Sequence, residues 1–397
     1  MPRRSQVQAL GLTFPNPILV ASTDIARSPQ QFEAFAKSGV GGIICKSVTD
    51  AAALQNNSIA RIHITDMHQR PVAGSYPDSY YFFSRGGSML SMAAFEEKAP
   101  ELLALAAKYG TVAIGSISAS RLENWVAYAR RMEELGFAAL ELNFGNPHGE
   151  AADGKLGFLI GQSPELCVQI ARAVMDAVHI PVIAKLTPQI SDLVALTKAL
   201  ENAGVQAVTV MHRFQGLMID PDTDEPILGG WAAIGGPWMK PISLANVAKV
   251  RRATGLTVLG GNGADTARDV YDFLLSGASL VEIGSSMMLR GPEYARQLVA
   301  ALEQLLKEKN TTAADALGRA AQHIVTYKNL GTLPPRSSQL EEDLCRTCTE
   351  KPCLQTCYFG ALHSQDGTVR HDSDSCSGCG LCTHTCPKNA VTMKLGG

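Results

Sequence analysis

Residues 256–263 read Leu256-Thr257-Val258-Leu259-Gly260-Gly261-Asn262-Gly263, and residues 280–286 read Leu280-Val281-Glu282-Ile283-Gly284-Ser285-Ser286. Each is a short apolar run, the first ending in Gly-Gly-Asn-Gly and the second in Gly-Ser-Ser, and the amphipathic stretch 265–275 lies between them. A strand, a helix and a second strand in that order form a βαβ unit with parallel strands. Outward from this unit the alternation repeats, with candidate strands at 17–22, 41–47, 111–118, 138–144, 180–187 and 207–213 and helical patterns at 165–178 and 294–307. With 256–263 and 280–288 this makes eight strands, which predicts an α/β fold, a (β/α)8 TIM barrel over residues 1–310. Two connections, 48–110 and 214–239, are too long for a minimal barrel and rich in Gly, Pro, Ser and aromatics. Both leave the C-terminal end of a strand, where barrel enzymes build their sites, so both read as functional insertions.

The chain has 397 residues, 46% of them apolar and 18% charged, with a formal net charge of −2. That composition fits a packed globular protein. Nothing in it suggests a nucleic-acid or anionic-membrane partner, and no apolar run reaches the length of a membrane span. The basic start, Met1-Pro2-Arg3-Arg4-Ser5, is followed by no apolar segment of signal-peptide length, so a cytoplasmic location is expected.

Of ten cysteines only Cys45 and Cys167 precede residue 345, and both read as inert core thiols. The other eight form two quartets. The second is Cys376-x2-Cys379-x2-Cys382-x3-Cys386-Pro387, the bacterial ferredoxin run in which the fourth thiolate ligates the other cluster. The first, Cys345-x2-Cys348-x4-Cys353-x3-Cys357, is a looser copy with Tyr358 in place of the proline. By that crossing rule Cys345, Cys348, Cys353 and Cys386 hold one [4Fe–4S] cluster, and Cys376, Cys379, Cys382 and Cys357 hold the other. CxxC pairs also suit tetrahedral zinc, but zinc does not explain a fourth cysteine at x3 spacing twice over. An α+β, bacterial-type ferredoxin-like domain is therefore expected over residues 339–397. A helical connector and Pro-containing linker at 311–338, with a helix over 313–328, joins it to the barrel. Two clusters form a one-electron wire, which implies a redox centre in the barrel.

The ends of the second and fifth strands carry Lys46 and Lys185, two cations aimed at the barrel mouth, where a buried charge needs an anionic partner. A flavin that becomes charged on reduction would supply one. Gly260-Gly261-Asn262-Gly263 and Gly284-Ser285-Ser286, at the ends of strands seven and eight, read as the barrel phosphate site. Gly235-Gly236 offers another close backbone approach.

These motifs resemble the dihydroorotate dehydrogenase family. The likeness is carried by Asn16-Pro17 with Ala21-Ser22, Lys46-Ser47, Glu141-Leu142-Asn143, Lys185-Leu186-Thr187-Pro188, Ile234-Gly235-Gly236 with Lys240-Pro241, and the glycines of strands seven and eight. With its double-cluster tail, the chain resembles the FMN- and iron–sulfur-containing subunit of bacterial NAD-dependent dihydropyrimidine dehydrogenase. The resemblance implies FMN contacts at Ala21, Ser22, Lys46, Ser47, Asn143, Lys185, Gly235, Gly236, Gly261, Gly263, Gly284 and Ser285. The chain also departs from the family. In the stretch Asn143-Phe144-Gly145-Asn146-Pro147-His148, Asn146 stands where the family has its proton-transferring Cys or Ser, and an amide does not exchange protons near neutrality. Among positions that read a pyrimidine's amide edge, Asn143 remains, while Ser84, His212 and Arg213 are substitutions.

Arg213 is a permanent cation suited to a carboxylate unless a loop acid such as Asp220 or Asp222 pairs with it, and Arg85 is a second candidate anion contact. His212 titrates near neutrality and leads as replacement proton donor, ahead of His148, which otherwise only caps the loop. The expected function is an FMN-dependent oxidoreductase passing electrons between two [4Fe–4S] clusters and a conjugated C=C. Hydride moves to or from FMN N5, and the substrate is a small cyclic or unsaturated, carboxylate-bearing molecule. The alternatives are dihydropyrimidine dehydrogenase proper, reducing uracil or thymine, and a non-catalytic electron-transfer or scaffold subunit. No GxGxxG nucleotide motif is present, so an FAD/NAD(P)H reductase subunit or a ferredoxin is the expected electron partner, and a homodimer the expected assembly.

Overall fold

The computed structural model describes residues 3–55, 60–148 and 155–395. Eight parallel strands close into a barrel in sequence order: β1 Ile18–Val20, β2 Gly42–Ile44, β3 Val112–Ile117, β4 Ala139–Asn143, β5 Val182–Lys185, β6 Ala207–Val210, β7 Thr257–Gly261 and β8 Leu280–Ile283. Each lies within one of the eight expected stretches. The strands are short apolar runs buried along almost their whole length, as parallel strands covered by helices must be. The helix Ala267–Ser276 shows how the sequence turns between them. Thr266 and Asp269 form a capping box at its start, and Gly277 ends it at φ +112.

The eighth expected strand, 280–288, is too long. Pairing stops at Ile283, and Ser285 opens a helix that breaks at Gly291 (φ +74) and runs on to Glu308. The continuous helix expected over 313–328 is absent as well. Single turns at Ala313–Ala316 and Arg319–Gln322 are separated by Gly318 (φ +74), whose conformation a helix cannot continue through.

The two long insertions build one structure. Arg61–Asp66 and Tyr80–Arg85 from the first, with Phe214–Gly216 and Ala232–Gly235 from the second, form a four-stranded antiparallel sheet in which Ser84 pairs with Ala233 and Ile234 with Phe214. Neither insertion could bury its own two-stranded piece, and pairing across the insertions satisfies both inner edges.

The chain divides into two compact units, Met1–His323 and Ile324–Gly397. In the second, Arg336–Leu340 pairs antiparallel with Val391–Leu395, and Leu362–Gln365 pairs with Thr368–His371. Short helices Cys353–Thr356 and Leu381–Thr385 each start within a cysteine quartet. Cys345, Cys353 and Cys382 take the place of apolar residues in its small core.

Candidate functional site

The C-terminal ends of the barrel strands and the insertion sheet line a cleft, partly open to solvent, with about 910 Å³ of empty space. Ala21, Ser22, Lys46, Lys185, Gly235, Gly236, Gly261, Gly263, Gly284 and Ser285 all line it. One wall is glycine backbone, and the glycines have a steric reason. A Cβ on Gly236 (φ +121) would stand 2.3 Å from the carbonyl of Tyr80, and one on Gly263 (φ +124) 2.5 Å from Cα of Lys240. The helix that opens at Ser285 starts at this cleft with no side-chain cap on its first N–H groups, a suitable seat for a phosphate.

The floor is charged. Lys185 on β5 donates to Glu141 on β4 (3.4 Å) and to Glu282 on β8, and Glu282 accepts from Thr209 on β6 (2.7 Å). Strands β5 and β8 are not neighbours, so this contact crosses the barrel interior. Burial alone would lower the Lys185 ammonium, but the two carboxylates hold it above an ordinary lysine. Burial and Glu282 together raise the Glu141 carboxyl. At the mouth Lys46 pairs with Asp24 at 3.0 Å. Both lysines therefore already have protein carboxylates as partners, where the sequence reading looked to the flavin alone.

Two residues assigned to the cofactor do not line the cavity. Ser47 is buried between Ser22 and Ser116, at 3.2 and 2.8 Å. Asn143 spends both ends of its amide internally, donating to Ser47 Oγ (3.2 Å) and accepting from the Gly145 N–H (3.2 Å).

The substituted pocket is brought together more closely than strand alternation suggests. β6 ends at Val210, so residues 211–213 leave strand geometry, and His212 and Arg213 both line the cavity with Ser84. Arg213 Nη1 donates to Ser84 Oγ at 2.6 Å, and neither Asp220 nor Asp222 reaches it. Among the described residues no carboxylate closes an ion pair with its guanidinium. Burial pushes that guanidinium down to about 10, opposed by Asp24, and it remains a cation at neutral pH.

His212 corrects an expectation. Its Nδ1 accepts from the Arg213 N–H (2.7 Å), leaving the proton on Nε2. Burial, then Lys185 and Arg213, hold its pKa well below the usual histidine value, so it stays neutral where titration was expected. His148 behaves likewise, pushed down to about 4 by burial, Arg213 and Arg85. Asn146 and His148 do not line the cavity, and their Nδ2 and Nε2 atoms are buried without hydrogen-bond partners. Arg85 is not brought to the cavity either, since its guanidinium donates to the Leu228 carbonyl (3.0 Å). Cys45 and Cys167 are core thiols, both pushed up to about 12 by burial.

Asp24, Ser116, Thr209 and Glu282 were missed by the sequence reading. Glu282 left a signal: a lone acid within the apolar run of β8 has to find a buried cation.

In the second unit the thiols gather across the quartets. Cys345 and Cys353 sit within electrostatic reach of Cys348 and of Cys386 from the other quartet. Cys357 joins Cys376, Cys379 and Cys382 in lining one small pocket, partly open to solvent. Among the described residues no three side chains close tightly enough to hold a single metal ion. Each set of four thiolates is the donor complement of a [4Fe–4S] cube. Backbone N–H groups point at two of the sulfurs, Lys351 at Cys348 (3.4 Å) and Ala390 at Cys386 (3.2 Å). Although burial opposes it, hydrogen bonds from His371, Ser338 and Gly378 bring the Cys376 thiol down to about 6.

Comparison with known proteins agrees with this geometry. The family profile described as dihydroorotate dehydrogenase matches residues 83–306, and a 4Fe-4S binding domain matches residues 369–392, which span the second quartet. Similar proteins include the catalytic subunits of dihydroorotate dehydrogenase B (NAD(+)) from several organisms. That of Thermococcus kodakarensis is 30% identical over 77% of this chain and 94% of its own length. The Anoxybacillus flavithermus protein is 30% identical over 77% and 92%, and the Pyrococcus furiosus protein 28% identical over 80% and 99%. Each is matched over nearly its whole length and leaves about a fifth of this chain without a counterpart. No helix among the described residues is long and apolar enough to cross a membrane. The chain belongs to the dihydroorotate dehydrogenase family and is an FMN-dependent, iron–sulfur oxidoreductase acting on CH–CH bonds.

Proposed function

We propose that this enzyme exchanges electrons between two [4Fe–4S] clusters and the conjugated C=C of a small, carboxylate-bearing substrate, in the cytoplasm, with a reductase subunit or ferredoxin as electron partner. FMN supplies the link, since it takes electrons singly and passes them on as a pair. The glycine wall and the helix start at Ser285 would hold its phosphate, and Lys46 and Lys185 would flank its ring. The observation that carries the substrate reading is Arg213, a cation lining the cavity with Ser84 as its side-chain partner and, among the described residues, no carboxylate in ion-pair contact. A half-buried guanidinium of this kind favours an anionic partner with two oxygens. His212 presents a fixed Nε2–H beside it and serves as a hydrogen-bond donor that orients the substrate.

A second reading, dihydroorotate or orotate, is favoured by the names of the relatives. Its carboxylate would suit Arg213, but its amide edge would find Asn143 already committed to Ser47 and Gly145. Uracil and thymine, which lack a carboxylate, fit least.

The test is an anaerobic screen of the purified enzyme with a redox dye against unsaturated carboxylic acids, their methyl esters, orotate and uracil. Turnover should require the free carboxylate. Arg213→Ala should raise KM by about 30- to 1,000-fold, the equivalent of about 2–4 kcal/mol, with little change in FMN content. Uracil turned over at ordinary enzyme rates, or a KM indifferent to Arg213, would overturn the reading.

A further inference from the structure

The buried carboxyl of Glu141 has no role in the binding scheme above, yet it sits at the junction of two polar systems. Its Oε2 accepts from Lys185, and its Oε1 accepts from Ser116 Oγ at 3.2 Å. From Ser116 a line of hydroxyls runs outward, to Ser47 Oγ at 2.8 Å and on to Ser22 Oγ at 3.2 Å. Ser22 lines the cavity, whereas Ser47, Ser116 and Glu141 are at most 1% exposed. Two fixed donors hold the line in place: Asn143 Nδ2 gives to Ser47 Oγ (3.2 Å), and the Ser47 N–H to Ser22 Oγ (3.1 Å). With those donors on the oxygens, each hydroxyl has its own proton left to pass along the line. The other carboxyl offers no such route. Both oxygens of Glu282 are taken, one by Lys185 and one by Thr209.

Charge explains why a proton belongs here. Lys185 and Glu282 are the charged groups facing Glu141, so with both carboxyls ionised the buried trio would carry a net negative charge. One added proton neutralises it, in keeping with the rise that burial and Glu282 impose on the Glu141 carboxyl.

We propose that Glu141 stores an exchangeable proton and that Ser116, Ser47 and Ser22 relay it to and from the cavity. In the outward sense Glu141 gives its proton to Ser116, Ser116 gives its own to Ser47, and Ser47 gives its own to Ser22. Ser22 then gives one proton to solvent water reaching the open cleft, leaving Glu141 as a carboxylate paired with Lys185. Only O–H bonds break and form, and inward passage reverses each donor. The purpose of the store rests on the flavin reading, since charge that arrives one electron at a time beside a buried carboxyl is neutralised by a proton held there.

Infrared difference spectroscopy of the purified holoenzyme in H₂O and D₂O tests this. The wild type should show a protonated-carboxyl C=O band near neutral pH that shifts rapidly in D₂O. Glu141→Gln should remove the band. Ser116→Ala should keep it but slow its deuterium shift by about tenfold or more, and Ser116→Thr should restore the rate. Ser22→Ala, at the half-buried cavity end of the line, should slow it likewise. A band that survives in Glu141→Gln, or exchange at the wild-type rate in both alanine variants, overturns the proposal. Flavin content, read from the visible spectrum, fails or holds independently of these bands.

Discussion

His148 and His212 are imidazoles kept neutral by burial and by a ring of cations, Lys46, Lys185, Arg85 and Arg213. Below about pH 6.5 the unfolded chain binds protons at these residues that the folded chain does not, so folding loses stability as pH falls. For His148 the window runs from about 6.5 down to about 4, below which the folded state is protonated too and the loss levels off. His148→Gln should therefore flatten the fall of the Tm between pH 6.5 and 4.5, as measured by calorimetry, and leave the Tm at pH 8 nearly unchanged. A variant with the wild-type slope would show that His148 is solvated and free to titrate. The same neutrality changes what a pH profile of kcat can report, because His212 should contribute no ionisation near neutral pH. Histidine identity was legible in the sequence. Its protonation state was not, because that depends on which cations the fold brings within reach.

The decisive pieces at the level of elements are strand ends. β7 stops at Gly261 and β8 at Ile283, each releasing backbone into the cavity where side chains would otherwise stand. At Gly263 a Cβ would stand 2.5 Å from the backbone N and Cα of Lys240, at the start of the helix Lys240–Ala253. Gly263→Ala should push that helix and the strand end apart, since neither backbone yields easily and φ +124 strains any side chain. The expected result is at least about a tenfold loss of FMN affinity, read as flavin fluorescence released on desalting, together with a Tm lowered by several degrees. Retention of FMN at the wild-type level would mean the phosphate sits elsewhere. These glycines could be read in the sequence as a phosphate seat because they cluster after two strands in one βαβ unit. The end of β6 could not be read in the same way. Alternation puts His212 and Arg213 on opposite faces, and both reach the cavity only because pairing stops at Val210.

For the whole molecule, cofactor content is the direct measure. Anaerobically purified protein should carry about eight iron, eight sulfide and one FMN per chain. The crossed gathering of thiols adds a sharper expectation for single substitutions. Cys386→Ser lies in the second quartet but should disturb the cluster held by Cys345, Cys348 and Cys353, and Cys357→Ser should do the reverse. Iron analysis with electron paramagnetic resonance of the reduced protein separates the two, and loss of the cluster nearest in sequence in each variant would refute the crossing. Zinc in place of iron would refute the domain reading altogether.

The sequence by itself determined the architecture. Eight apolar runs alternating with helical periods admit little besides a parallel barrel, and cysteine spacing is a local geometric requirement of the cluster that any fold must respect. It also determined most of the cavity, because backbone clearance demands glycine and glycine is visible. What only the tertiary structure decided is how distant segments meet. Residues 61–66 and 80–85 pair with residues 214–216 and 232–235 to form one sheet at the barrel mouth. Glu282 reaches across the barrel to Lys185, and three serines from separate stretches line up on Glu141. Arg85 is drawn to a carbonyl while Arg213 lines the cavity. Contacts of this kind follow from the closure of the sheet, which sets residues far apart in the chain a few ångströms from one another, and no local pattern encodes that separation.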